Sequence, residues 1–71
     1  MYVLKYNLLK QTFYHRDIAK LSNSDSLVLR NTENINKAKK FKSITEIDAY
    51  RSKFYYLFLS AFEKYEIEEV S

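Results

Sequence analysis

His15 and Asp17 are the one pair of side chains whose types and spacing could support acid–base chemistry. Residues two apart in an extended strand lie on the same face, so the Asp17 carboxylate could orient the His15 imidazole as a general base. The nucleophile would have to be a serine, and no serine stands in a Gly-x-Ser-x-Gly motif because the chain contains no glycine. The pair is therefore interpreted as structural, and the protein is predicted not to be an enzyme.

Metal and cofactor chemistry has equally little support. His15, Asp17 and Asp25 offer mixed ligands, but they lack the paired spacings of zinc sites and the oxygen-rich loop of calcium sites. The chain has no cysteine, and without glycine it has no Gly-rich loop to hold a phosphate group. The sequence therefore predicts neither a metal nor a cofactor.

The strongest concentration of charge is a run of lysines around two apolar residues, Ala38 and Phe41. The four basic residues of this cluster are Lys37, Lys39, Lys40 and Lys42. Lysines can contact phosphates while an aromatic ring stacks on a base, so the cluster is a candidate nucleic-acid surface. If Ala38 and Phe41 point inward instead, the lysines are a solvated face or contact an acidic protein surface. Nucleic-acid binding is therefore kept as the alternative function.

The clearest structural signal is the capping box at residues 43–46, in which the Ser43 hydroxyl accepts from the Glu46 amide and the Glu46 side chain returns to the Ser43 amide. Apolar residues then recur at spacings of three and four. They are Ile47, Tyr50, Phe54, Leu57, Phe58, Ala61 and Phe62. This pattern predicts one long helix, from about residue 44 to 62, that packs on a sheet.

Three further side chains make this helix apolar over more than one face: Tyr55, Tyr56 and Leu59. Tyrosine is enriched at protein interfaces, so these residues are the predicted protein-binding surface, for another protein or for a second copy in a homodimer. Scattered exposed apolar residues are the other interpretation, since they are normal in soluble proteins.

The remaining segments predict the sheet. Alternation over residues 2–9 and β-rich runs over 12–18 and 27–29 indicate three strands, the first two joined as a hairpin. Thr32 is a candidate cap for a short helical turn through Ile35, Ala38 and Phe41. Residues 65–68 alternate again and predict a last strand beside the first, with a continued helix as the alternative because no glycine ends the helix before them. The fold class is therefore α+β, a three- or four-stranded antiparallel sheet with one long helix packed on one face.

Size and composition limit the class of protein. A chain of 71 residues is long enough for a single domain, and a hydrophobic content of 46% favours a folded core over disorder. No apolar run approaches the ~20 residues of a membrane span, and residues 1–5 do not resemble a signal peptide. With no cysteine, a cytoplasmic location and no membrane partner are expected.

Three segments of the chain resemble a known group of proteins: Tyr2–Asn7 (YVLKYN), Ile35–Ala49 (INKAKKFKSITEIDA) and Tyr65–Val70 (YEIEEV). They resemble small, mostly uncharacterised accessory proteins of phages and prophages of low-GC Gram-positive bacteria. The resemblance implies strands, a connection into a helix and an acidic last strand. It also implies a protein that binds and blocks a host enzyme or defence protein in the host cytoplasm. The predicted function is therefore a non-enzymatic protein-binding accessory factor.

Overall fold

The computed structural model describes residues 1–23, 25–60 and 65–70. In chain order, its elements are β1 (Tyr2–Leu8), β2 (Gln11–Lys20), β3 (Leu27–Thr32), a 3-10 turn (Ile35–Lys37), α1 (Ile44–Lys53), α2 (Tyr55–Ser60) and β4 (Glu66–Glu69). The strands form one antiparallel sheet in the order β3-β2-β1-β4. The predicted α+β class is confirmed, with four strands and with the last strand beside the first.

The β1–β2 hairpin is closed by Leu9 and Lys10, whose φ angles are 50° and 69°. A two-residue hairpin loop of the favoured type needs positive φ at both positions, which glycine and asparagine adopt most easily. Since the chain has no glycine, a leucine and a lysine take these angles instead. Leu9 is 88% exposed, so nothing in the core compensates for its conformation.

The core lies between the sheet and the helices, on the side that we call the helix face. Its buried members are Leu4, Tyr6, Phe41, Ile47 and Tyr65. Tyr6 lies opposite Phe13 on β2, with their rings stacked at 5.2 Å between centroids, and Tyr65 meets Tyr6 edge-on at 5.4 Å. Leu8 lies on the same face of β1 as Leu4 and Tyr6, but it is exposed. The buried part of β1 therefore ends at Tyr6.

The segment after β3 differs from the prediction. Thr32 is the last residue of β3 and does not cap a helical turn. Its hydroxyl accepts from the Asn34 amide, and the Asn34 side chain caps the 3-10 turn by accepting from the Asn36 amide at 2.9 Å. The prediction placed the cap at Thr32 because threonine is a good helix cap, but Thr32 is still paired with β2 through Tyr14.

Residues 39–41 lie between β1 and β2 where these strands diverge. Phe41 exchanges two backbone hydrogen bonds of 2.8 Å with Tyr2 of β1. The amide of Lys39 donates to the carbonyl of His15 in β2 at 3.0 Å. This insertion places the fully buried Phe41 ring in the core.

The helix begins as predicted and is interrupted once. The Ser43 hydroxyl accepts from the Glu46 amide at 3.1 Å, but the Glu46 carboxylate accepts from the Lys42 amide, where the capping box predicted the Ser43 amide. Phe54 leaves helical geometry with φ −116° and ψ 30°, and this separates α1 from α2. Ala61 and Phe62, assigned to the helix from the sequence, lie outside the described residues.

Candidate functional site

The predicted binding residues Tyr55, Tyr56 and Leu59 all lie on α2, with 64%, 51% and 79% of their surfaces exposed. The other side of α2 faces the core, where the Phe58 ring packs edge-on against the His15 ring at 5.6 Å. This short helix is therefore apolar on both its buried and its exposed side. We call the exposed side, formed by Tyr55, Tyr56 and Leu59, the outer face of α2.

An open groove of about 410 Å³ runs along α1 and α2. It is lined by Asp48, Arg51, Ser52, Tyr55, Phe58 and Leu59. The Arg51 guanidinium carbon lies 5.7 Å from the centre of the Phe58 ring, a cation–π distance. Because its charge lies over an aromatic ring, Arg51 offers a positioned donor beside the outer face of α2.

The lysine cluster does not form a single basic patch. Lys40 donates from Nζ to the Ile35 carbonyl at 2.5 Å and to the Ala38 carbonyl at 3.1 Å. Lys39 holds its Nζ 5.2 Å from the centre of the Tyr50 ring. Two of the four charges therefore have partners within the chain.

The two residues between these lysines point inward, as one of the sequence interpretations expected. Ala38 and Phe41 are buried, although on an extended segment and not on a helical turn. Phe41 is fully buried, so its ring has no surface on which a base could stack. Lys37 and Lys42 are the exposed members of the cluster.

The proposed His15–Asp17 pair is not formed, because the strand register shifts between these residues. His15 lies opposite Asn31 of β3, while Asp17 lies opposite Arg30, so Arg16 is an extra residue in β2. Asn31 and Arg30 are consecutive and point to opposite faces, and the same holds for His15 and Asp17. The prediction that they share a face is wrong.

Asp17 has a different partner. Its carboxylate accepts two hydrogen bonds of 2.6 Å from the Arg30 guanidinium. These bonds lower the pKa of Asp17 and raise that of Arg30. The carboxylate is therefore held on the opposite face of the sheet and does not orient the imidazole.

His15 belongs to the core, which the sequence interpretation left undecided. The side chain is fully buried, and its Nε2 atom lies 2.7 Å from the Tyr50 hydroxyl oxygen. Around it stand the rings of Tyr50, Phe58 and Tyr65, with centroids 5.5, 5.6 and 5.8 Å away. The signal for this position was available, since His15 follows Phe13 at the two-residue spacing of a strand face.

Burial also sets the protonation of this cluster. Loss of water lowers the pKa of His15 to about 4; the Asp17 charge opposes this decrease, and the Lys39 charge adds to it. The same cause raises the pKa of Tyr50 to about 12. His15 and Tyr50 are therefore both neutral near pH 7, and they stabilise the packing of α1 on β2.

Neither a cluster of metal-ligand side chains nor a membrane-spanning helix is present in the part of the chain that the structure describes. Within residues 1–23, 25–60 and 65–70, no group of three or more histidine, aspartate or glutamate side chains could hold a metal ion. None of the helices in this part of the chain has the length and apolar character needed to cross a membrane.

Comparisons with protein-family models, with curated proteins and with solved structures find no match to this chain. The outer face of α2 and the groove beside it are therefore the features of this chain that bear on its function.

Proposed function

We propose that this protein is a non-enzymatic binding protein that contacts another protein through the outer face of α2. The observation that carries the proposal is the exposure of Tyr55, Tyr56 and Leu59 on one short helix. Single exposed apolar residues are normal, but three large ones on one helical turn and a half form a patch. Aromatic side chains of this kind supply most of the binding energy at protein interfaces.

The groove has the layout of an interface that receives a side chain from a partner. Tyr55, Phe58 and Leu59 line it with apolar side chains, while Asp48 and Ser52 line it with polar ones. The guanidinium of Arg51, which lies over the Phe58 ring, can donate hydrogen bonds to a carboxylate or carbonyl of the partner. An open groove of this kind suits a protein surface better than a small ligand, which needs to be mostly enclosed.

We further infer that the partner is a host protein whose surface is blocked by this factor. The support is the resemblance of residues 2–7, 35–49 and 65–70 to accessory proteins of phages and prophages. Occupying a surface that another molecule needs is sufficient for inhibition, so no catalytic group is required of the chain.

The test is capture of the partner from the lysate of the host bacterium, followed by measurement of the dissociation constant with the purified partner. We expect one protein to be retained at high salt, and the double change Tyr56→Ala and Leu59→Ala to weaken its binding at least about tenfold. Leu21→Ala, which changes an exposed leucine in the loop between β2 and β3, is the matched control and should bind normally. Equal binding of all three proteins would remove the outer face of α2 from the function.

Nucleic-acid binding through the lysine cluster is the alternative function. The exposure of Lys37 and Lys42 favours it, while the internal contacts of Lys39 and Lys40 and the burial of Phe41 oppose it. Binding of fluorescent single-stranded DNA and RNA should be measured against salt, because phosphate contacts give a steep salt dependence. Affinity that persists near about 0.15 M salt and falls with Lys37→Ala and Lys42→Ala would replace the protein-binding proposal.

A further inference from the structure

The two edge strands of the sheet, β3 and β4, differ in how they are protected against pairing with another chain. β4 carries Glu66, Glu68 and Glu69 among its four residues. Charged side chains on an edge strand discourage further pairing. β4 is therefore a protected edge.

β3 has no such protection. It begins with Leu27, Val28 and Leu29, and its one charged residue, Arg30, is already bound by Asp17 of the same chain. Among the residues that the structure describes, no strand pairs with its outer side. A six-residue strand with an apolar start and a single charged side chain is a template for an additional strand.

We propose that the outer edge of β3 pairs in antiparallel fashion with β3 of a second copy of this chain. The two copies are related by a two-fold axis perpendicular to the sheet, which gives one continuous sheet of eight strands. A second copy is favoured over a different protein because antiparallel pairing of β3 with itself can place Leu29 opposite Leu29 and Val28 opposite Arg30. A chain of 71 residues also benefits from the added burial, since so short a chain buries a smaller share of its surface on folding than a longer chain does.

In two registers, five of the six residues of β3 have a partner and the helix faces of both sheets lie on the same side. One is centred on Leu29 and the other on Arg30. The second places two guanidinium groups directly opposite each other, which is destabilising. The first places Leu29 opposite Leu29 of the second copy and Val28 opposite its Arg30. The Leu29-centred register is therefore the one that forms.

The position of α2 gives this arrangement a consequence for binding. α2 packs against β3, the strand at the two-fold axis. A two-fold axis perpendicular to the sheet keeps both copies of α2 on the same side. The dimer therefore presents two outer faces of α2 to one side, although the pairing itself uses other residues and does not depend on the proposed function.

The test is the molar mass in solution, measured by light scattering and by sedimentation over a range of concentrations. The native chain should show twice its 8.6 kDa mass. Val28→Lys places a lysine opposite Arg30 of the second copy and should raise the dimer dissociation constant roughly tenfold or more, whereas Val28→Glu places a carboxylate there and should preserve or tighten the dimer. Ile67→Lys, the same kind of change on β4, is the matched control and should leave the dimer intact. Circular dichroism checks that each variant is folded.

Three results would overturn the proposal. The first is a native chain that is monomeric at every concentration. The second is an equal effect of the lysine and glutamate variants at Val28, since only the Leu29-centred register distinguishes them. The third is a dimer lost with Tyr56→Ala and Leu59→Ala but kept with Val28→Lys, which would place the contact on the helices. Since mass is measured without any other protein present, these results are independent of the partner-capture experiment.

Discussion

The imidazole of His15 and the phenol of Tyr50 share a hydrogen bond of 2.7 Å that joins β2 to α1 beneath the helices. Within the described residues, the other imidazole nitrogen, Nδ1, is buried without a hydrogen-bond partner. A charged imidazolium at this position would have to lose its water, and the Asp17 charge, which lies on the opposite face of the sheet, offsets only part of that cost. The folded protein therefore keeps His15 neutral.

Acidification should lower the free energy of unfolding between pH 6.5 and pH 4. Unfolded His15 takes up a proton near its ordinary pKa of 6.5, whereas folded His15 does so only at about 4. The unfolded state binds more protons in this range, so stability is complete above pH 6.5 and falls by up to about 3 kcal/mol near pH 4. Urea unfolding at a series of pH values measures this. His15→Phe should be nearly flat over the same range, and an equal slope in both proteins would show that another group is responsible.

Removal of the Tyr50 hydroxyl should destabilise the protein, although the ring is retained. Tyr50→Phe leaves the Nε2 atom of His15 buried and without its partner, which should cost about 1–2 kcal/mol. Tyr55→Phe removes a hydroxyl from an exposed ring and should change the free energy of unfolding very little. Unfolding of both variants at the same urea concentration would contradict a stabilising role for the Tyr50 hydroxyl.

The β1–β2 turn should be open to improvement. Leu9→Asn with Lys10→Gly supplies residues that accept positive φ, so the free energy of unfolding should rise by about 1 kcal/mol. Thermal and urea unfolding both report the change. Lys10→Ala keeps a β-carbon at φ 69° and should give no gain. An equal gain from alanine would mean that backbone strain is not the reason.

The start of α1 should depend on a side-chain oxygen at Ser43. Ser43→Ala removes the acceptor for the Glu46 amide and should lower the free energy of unfolding by about 1 kcal/mol. Ser43→Asp keeps an acceptor and should remain close to the native protein in urea unfolding. Aspartate and alanine variants of equal stability would contradict the role of the cap.

The sequence predicted those parts of the fold that follow from local pattern. Alternation located the strands, including the last one beside β1, and the capping box located the first turn of α1. The exposure of Tyr55, Tyr56 and Leu59 likewise follows from their positions on a helix whose opposite side is buried. In each case, the period of apolar residues decides which side meets the core.

The features that the sequence did not predict depend on contacts between distant residues or lack a local signal. The extra residue at Arg16 is defined by pairing with β3, and no residue type in β2 marks it. The insertion of Phe41 beside Tyr2 is likewise a contact between distant segments. The helix break at Phe54 is not marked in the sequence by a glycine or a proline, since the chain contains neither. The Leu57 amide bonds to the Phe54 carbonyl in a tighter turn before α-helical bonding resumes.

The pairing of β1 with β4 has a consequence for the rate of folding. Tyr2 pairs with Glu69, so this side of the sheet closes only when distant parts of the chain meet. Long loops are slow to close, and contacts of this kind form late compared with the β1–β2 hairpin. Until β4 pairs with it, the apolar strand β1 has an unpaired edge with which a strand of a neighbouring folding chain can pair. The yield of refolding should therefore fall as the protein concentration rises.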